Sequence, residues 1–261
     1  MKRSIITLTT DFGTAGEYTG AMKGVILGIN PAARIVDITH EIEPQNILQA
    51  SWVAAKACPY FPPGTIHVVV VDPGVGTDRR GILVETKRGF FVGPDNGVFT
   101  PLLQKDARLY ELTRTKFFLP EISSTFHGRD IFAPVAGHLS RGVAPRSFGR
   151  KAADPVRLDW PRPAFSRGTL TGQVLWADNF GNLITNIRRE DCGEEAEARA
   201  LEVRARRWKM QGISRTYAEA QPGRPVALFG SGGTLEISVN RGNASVELGL
   251  GPGDKVAVHL R

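Results

Sequence analysis

The sequence predicts an α/β N-terminal domain with a mostly parallel sheet flanked by helices, followed by a smaller antiparallel, barrel-like β domain. Three observations predict it. Strand-like and helix-like segments alternate up to about residue 142, the pattern of a sheet covered on both faces. Residues 143–168 then change character, with Pro145, Pro155, Pro161 and Pro163 scattered among basic and small residues. From Leu170 onward, short β-type runs are separated by glycine-rich turns. Domains are therefore expected over 1–150 and 169–261, joined by a linker over 151–168.

Ile5-Ile6-Thr7-Leu8 reads as the first strand. Glu17 to Ile29 has helical apolar spacing and stops at Asn30-Pro31, where proline disfavours a further helical residue. Ile35-Val36-Asp37-Ile38 is a second strand, and Ile47 to Cys58 a second helix ended by Pro59 and Pro62-Pro63-Gly64. Thr65 to Val70 is an apolar run rich in β-branched residues, the mark of a buried strand, with Val68 to Val71 its strand core. Ile82 to Thr86 and Phe90 to Val92 continue the strands, and Gly128 to Leu139 reads as a helix. In the second domain Val174-Leu175-Trp176, Leu183-Ile184, Val226 to Phe229, Leu235-Glu236-Ile237 and Val256-Ala257-Val258 are the strand candidates. Glu194 to Ala200 fits either a short helix or an acidic loop.

Hydrophobic content of 41% and charged content of 23% suit a soluble globular chain. No apolar run approaches the roughly 18 residues that span a bilayer. Met1-Lys2-Arg3-Ser4 leads into a strand without a cleavage pattern, so a cytoplasmic location is expected. Two cysteines, Cys58 and Cys192, make neither a disulfide framework nor a metal knuckle. The net charge of +7 raises nucleic acid as a partner. The densest basic patches, Arg204 to Arg207 and Arg146 to Lys151, each have one adjacent aromatic, too few for a base-stacking platform. Neither nucleic acid nor membrane is expected as a partner.

The most informative stretch is Val71-Asp72-Pro73-Gly74-Val75-Gly76-Thr77-Asp78-Arg79-Arg80, at the carboxyl end of a buried strand. Ligands bind at that edge of open α/β sheets. The plainer reading is a tight turn with a capping aspartate and two solvated arginines. Asp11, after the first strand, suits either a ribose diol or a helix N-cap. Asp72, Arg79 and His127 together offer a carboxylate, a fixed cation and a titratable imidazole, although a histidine before a helix is often a capping residue.

Other chemistries fit poorly. Gly74-Val75-Gly76-Thr77 lacks the Lys-Ser/Thr of a phosphate loop. Phe229-Gly230-Ser231-Gly232-Gly233 sits in β structure rather than before a helix, unlike a nucleophile elbow. No HExxH or Cys/His cluster is present, so no metal is expected.

Taken in order, Thr9-Thr10-Asp11-Phe12-Gly13, Ile35 to His40, Val71 to Thr77, Gly93-Pro94-Asp95-Asn96-Gly97 and Phe126-His127-Gly128-Arg129-Asp130 resemble the signature of one family. It is that of the S-adenosyl-L-methionine (SAM) hydrolases, or SAM hydroxide adenosyltransferases, relatives of the fluorinases and chlorinases. Asp178 to Leu183 and Leu235 to Asn240 agree, so the resemblance covers nearly the whole chain. It implies a homotrimer with sites between the N-terminal domain of one subunit and the C-terminal domain of the next. It places the water-activating set on Asp72, Arg79 and His127, and the ribose contact on Asp11. Methionine contacts fall on Asp178, Ser231 and Glu236, and adenine contacts on Asn182, the backbone near Val239 and the Asn240 to Ala244 turn. The family's acid after the first motif is replaced by Gly16, with Glu17 beside it as a candidate stand-in.

The implied reaction is hydrolysis of SAM to adenosine and methionine, with SAM as substrate and no cofactor. Methionine leaves as a neutral thioether and needs no acid. What is needed is a water held in line with the C5′–S bond, and such positioning supplies about 7–11 kcal/mol in favourable cases. An arginine beside His127 would favour neutral imidazole while Asp72 pulls the other way, and coupled groups titrate as a set. The alternatives are a SAM-dependent halogenase and a non-catalytic SAM or adenosine binder. Halogenase relatives lack a carboxylate at the position of Asp72, where it would repel a halide, and a mere binder would not need the three-residue set.

Overall fold

A computed structural model describes residues 4–193 and 200–261. The chain forms two compact units, Met1–Asp159 and Trp160–Arg261. The first contains β1 (Ile5–Thr10), α1 (Tyr18–Ile29), β2 (Arg34–Thr39), α2 (Ile47–Ala57), β3 (Thr65–Val70), β4 (Gly81–Glu85), β5 (Gly89–Pro94), β6 (Arg108–Glu111), α3 (Ala133–Ser140) and β7 (Lys151–Ala152). Its strands run in the order β2-β1-β3-β5-β4-β6-β7. The first four are parallel, as the strand–helix alternation predicts. From β4 outward every pairing is antiparallel. The reason lies in a short connection: Thr86-Lys87-Arg88 alone separates β4 from β5, and a parallel crossover needs a dozen residues or more.

β3 is buried along its whole length and shows why the parallel strands read as apolar runs. Val68 and Val70 face the cluster of Met22, Ile26 and Phe132, whereas Val69 and Val71 face that of Ala50, Ala54 and Phe99. In α1, Thr19, Met22 and Ile26 are buried at spacings that keep them on one helical face. α2 starts where the Asn46 side chain accepts the Gln49 N–H. α1 and α3 approach closely because residue 137 is glycine; a Cβ there would lie 3.1 Å from Ile29.

A π turn, Gly128–Phe132, leads into α3. Pro134 cannot donate to the Asp130 carbonyl, which instead accepts the Leu119 N–H at 2.9 Å. The expected helix from Gly128 thus has an irregular first turn, beside a residue of the candidate site.

The second unit holds β8 (Ala164–Ser166), β9 (Thr169–Ala177), β10 (Leu183–Arg188), β11 (Ala200–Ala205), β12 (Trp208–Gln211), β13 (Pro225–Phe229), β14 (Thr234–Val239), α4 (Ala244–Leu248) and β15 (Lys255–Leu260). The order is β12-β11-β15-β9-β10-β14-β13, with β8 also on β9, and every ladder is antiparallel. Ser214, just past β12, bridges Leu228 of β13, so the two ends of the path nearly close a barrel. β9 serves two neighbours, pairing β15 over Thr169 to Gln173 and β10 over Val174 to Ala177. Gly172 sits near that changeover, where a Cβ would fall 2.3 Å from the Asn186 side chain.

The sequence reading missed β6, β7, β8, β11 and β12. Of the four residues of β6 only Leu109 is buried. The basic segment Arg204 to Arg207 is the tip of the β11–β12 hairpin: Val203 and Met210 point inward, and Arg206 takes a φ of +49° at the turn. Arg204 pairs with Glu202, Arg206 with Asp254 and Arg150 with Glu111, so those basic segments are partly neutralised. Residues 194–199 of the undecided acidic stretch lie outside the described residues, and Ala200 begins β11. Among the described residues no helix is long and apolar enough to cross a membrane.

Candidate active site

In the N-terminal unit, β1 and β3 are neighbours in register, and Asp11 and Asp72 emerge from their carboxyl ends. The loop after β3 is held on both sides. Asn96 donates its side-chain N–H to the Val71 carbonyl at 2.9 Å. Gly76 has a φ of +78° and passes so close to the Ser124 carbonyl that a Cβ would sit 2.2 Å from it. This turn aims Arg79 back at Asp72. Its Nε lies 2.9 Å from both carboxylate oxygens, and a terminal nitrogen lies 2.5 Å from Oδ2. The same terminal nitrogen reaches Nδ1 of His127 at 2.6 Å. The Asp72 and Arg79 side chains are 5% and 11% exposed, so the plainer reading of solvated arginines holds for neither the pair nor its link to histidine.

His127 occupies the position before the π turn without capping it through its side chain. A guanidinium has donors only, so Nδ1 must accept. A neutral His127 then carries its proton on Nε2. Burial pushes its pKa below the usual histidine value, the Arg79 charge pushes the same way, and Asp72 and Asp130 oppose. The side chain is therefore neutral near pH 7.

Asp11 does not cap α1, whose N-cap position is Glu17. Its Oδ2 instead accepts the backbone N–H of Gln45 at 2.8 Å, a residue at φ +66°. Asp11, Phe12, Asp72, Phe126 and His127 line one pocket of about 350 Å³, within the range of small-molecule sites. Tyr18 packs on both aromatic residues of that lining. Behind Asp11 runs a chain that sequence reasoning did not assign. The Phe12 N–H lies 3.3 Å from Thr10 Oγ1, which is 2.8 Å from Nδ1 of buried His40. The other His40 nitrogen is 3.1 Å from Asp37, which Lys23 holds at 2.6 Å. The signal for it was His40 itself, inside a quoted motif, but its partners follow only from the β1–β2 register.

In the C-terminal unit, the structure brings Asp178, Asn182 and Glu236 together. Asp178 closes its own loop: Oδ1 accepts the N–H groups of Phe180 and Asn182, and Oδ2 accepts the Asn182 side-chain amide, all at 2.9 Å. Gly181 at φ +82° is required there, since a Cβ would fall 2.2 Å from the Asn243 side chain. Glu236, buried in β14, accepts the Tyr217 hydroxyl at 3.0 Å. Burial pushes the Glu236 pKa up, Tyr217 opposes, and the nearby Asp178 charge adds to the rise. Tyr217 is pushed up to about 12 by burial and the Glu236 and Asp178 charges. It was absent from the sequence reading because its partner lies 19 residues on. Ser231 is exposed in the β13–β14 turn, and Val239 is buried at the end of β14. Among the described residues no three His, Cys, Asp or Glu side chains group to hold a metal ion.

A guanidinium bridging a carboxylate to a neutral imidazole, in a pocket at parallel strand ends, is the makeup of an enzyme site for a small molecule. The family models make the class definite. The SAM hydroxide adenosyltransferase N-terminal domain matches residues 6–149 and its C-terminal domain matches 172–257. The chain belongs to the SAM hydroxide adenosyltransferase family. It is 39% identical over 253 residues to an (R)-S-adenosyl-L-methionine hydrolase of Thermus thermophilus, covering 94% of this chain and 95% of that one. A fluorinase of Actinoplanes is more distant, 28% identical with 97% of each chain covered, over an alignment of 289 residues. Among solved structures, a conserved protein of Thermotoga maritima superposes with a TM-score of 0.88 at 38% identity, covering 97% of this chain and 99% of that one.

Proposed function

We propose that the chain hydrolyses SAM to adenosine and L-methionine by in-line attack of water on C5′ of the adenosyl group. The observation that carries this reading is the Arg79 bridge between Asp72 and His127 in the pocket wall. Asp72 fixes Arg79, and Arg79 fixes the imidazole with Nε2–H free to donate. A water accepting that bond through one lone pair keeps the other for C5′. The C5′–O bond forms as C5′–S breaks, and sulfur keeps the electron pair as a neutral thioether. The new hydroxyl is formed as an oxonium, acidic enough to lose its proton to a weak acceptor; Asp72, which lines the pocket, takes that part. Histidine therefore orients the water rather than deprotonating it, since its one free lone pair faces Arg79.

Asp11 is assigned to the ribose diol through its Oδ1, with Oδ2 held by Gln45. Asp178 and Glu236, with Ser231, are assigned to the methionine end, and Asn182 with the backbone near Val239 to adenine. These come from a neighbouring copy in a homotrimer. The relatives' names specify the R sulfonium epimer, and the same epimer is assigned here. Incubation with each separated epimer, read by chromatography, tests the proposal. Adenosine and methionine in equal amounts from the R epimer are expected, without added metal. A 5′-halo product formed faster than adenosine in chloride or fluoride, or no adenosine at all, overturns it.

A further inference from the structure

We propose that Phe12 and Tyr18, braced by Phe126, form the wall that recognises the sulfonium cation of the substrate; this specificity role rests on the activity proposed above. The three rings meet pairwise at centroid distances of 5.8 Å (Phe12–Tyr18), 5.7 Å (Phe12–Phe126) and 5.1 Å (Tyr18–Phe126), all tilted or edge-on. Phe12 and Phe126 line the pocket and Tyr18 packs on both, and a ring face attracts a cation within about 6 Å of its centroid. Phe126 is buried, and Arg129 already lies 5.1 Å from its centroid with its charge met by Asp130. Tyr18 is 45% exposed and Phe12 half-buried, so the core does not consume them. They are the rings left for a ligand.

The pocket's acids are engaged elsewhere. Asp72 is paired with Arg79, and Asp11, with one oxygen held by the Gln45 N–H, is assigned to the ribose. The chemistry favours such an arrangement. A free carboxylate against a sulfonium is itself a nucleophile and would compete with water for C5′ or for the methyl group. A ring attracts the cation without offering a lone pair. After transfer the sulfur is neutral, the attraction is gone, and methionine is released more readily than SAM.

The test compares SAM with S-adenosyl-L-homocysteine, the neutral thioether, by calorimetry on the full chain carrying His127→Ala, so that turnover does not consume the ligand. Phe12→Leu and Tyr18→Leu keep apolar bulk and remove the π face; Phe12→Tyr restores it. The leucine variants are expected to weaken SAM by about 2- to 30-fold while homocysteine-linked ligand moves less than about twofold, and Phe12→Tyr to bind as the parent does. Parallel weakening of both ligands, or no change in either, overturns the proposal. Adenosine release by the unsubstituted chain is followed alongside. Selective SAM binding without adenosine release would remove the hydrolase reading and leave the wall standing.

Discussion

Replacing Arg79 by methionine removes a group that touches both Asp72 and His127, and its consequences can be worked out separately for stability and for catalysis. Asp72 is 5% exposed and would lose every partner it has in Arg79. Breaking a buried ion pair by deleting one member costs about 3–5 kcal/mol, because the remaining charge is left desolvated. At about 2–4 °C per kcal/mol for a unit of this size, the N-terminal unit should melt roughly 6–20 °C lower. In catalysis, Arg79 is one of the two forces holding the His127 pKa down; burial, the larger, remains, while the opposing Asp72 charge is freed of its partner and that of Asp130 is unchanged. The His127 pKa must therefore rise. Activity that needs the neutral ring is full above the folded pKa and falls as pH drops through it. In the wild type that fall lies below the ordinary histidine value of about 6.5, and in Arg79→Met it moves to higher pH. Freed from the Nδ1 bond, the ring also loses its fixed tautomer and its hold on the water, and kcat should drop about 10²-fold. The assay is kcat against pH for both proteins at a temperature well below either melting point. An acid limb that stays put or moves to lower pH would refute the geometry argued for His127.

Three further outcomes are expected. His127→Ala should lower kcat by about 10²-fold with little change in KM, whereas Asp11→Ala should mainly raise KM, because ribose contacts are made alike in ground and transition states; steady-state kinetics separates the two. Mixing His127→Ala chains with Asn182→Ala chains should restore part of the activity through composite sites, and a fully active monomer in sedimentation would end that idea. Burial lowers the His67 pKa to about 4, so its contribution to stability is whole above pH 6.5 and is lost as pH falls from there toward 4. That amounts to about 3 kcal/mol, at 1.36 kcal/mol per pH unit. Urea unfolding should show a shallower loss over this range in His67→Phe, which keeps the stack on Phe91 but cannot be protonated.

How much of this was legible depends on whether the signal was local. The buried run of β3 and the Asp72–Arg79 turn were legible because the two partners lie only seven positions apart. His127 is 48 residues from Arg79, so residue types alone could group them as candidates, and only the family resemblance gave them a shared role. The antiparallel half of the first sheet was missed although its cause, a three-residue connection, was in plain view. The β11–β12 hairpin was hidden because period-2 burial of small and flexible residues, Val203, Ala205 and Met210, is masked by the charges between them. His40 and Tyr217 illustrate a different limit. A buried polar side chain declares its role only through its partner, and partners across a sheet are fixed by register. β1 and β2 slip register between Leu8 and Thr9, so even a correct strand pairing would have matched Thr10 with the wrong residue.

The position of the pocket follows from the same topology. After β1 the chain crosses by α1 to β2 on one side of β1. After β2 it crosses by α2 to β3 on the other side, and the sheet then grows away through β5. α1 packs in the cluster beneath Val68 and Val70, and α2 in the cluster beneath Val69 and Val71, so the two crossovers cover opposite faces. The strands whose onward connections diverge are β1 and β3, and a crevice opens outside their carboxyl ends at such a switch point. Asp11 leaves one lip of that crevice and Asp72 the other. The next step of the chain then explains why chemistry settled at Asp72. A β3 followed by a helix would have brought a helix N-terminus and its anion site to this lip. Here β3 is followed by the Pro73–Asp78 turn and an antiparallel strand, so what returns to the crevice is a side chain. That side chain is Arg79, a fixed cation already matched to one carboxylate. A site so neutralised suits a cationic substrate and an uncharged nucleophile, and it is poorly suited to holding a phosphate.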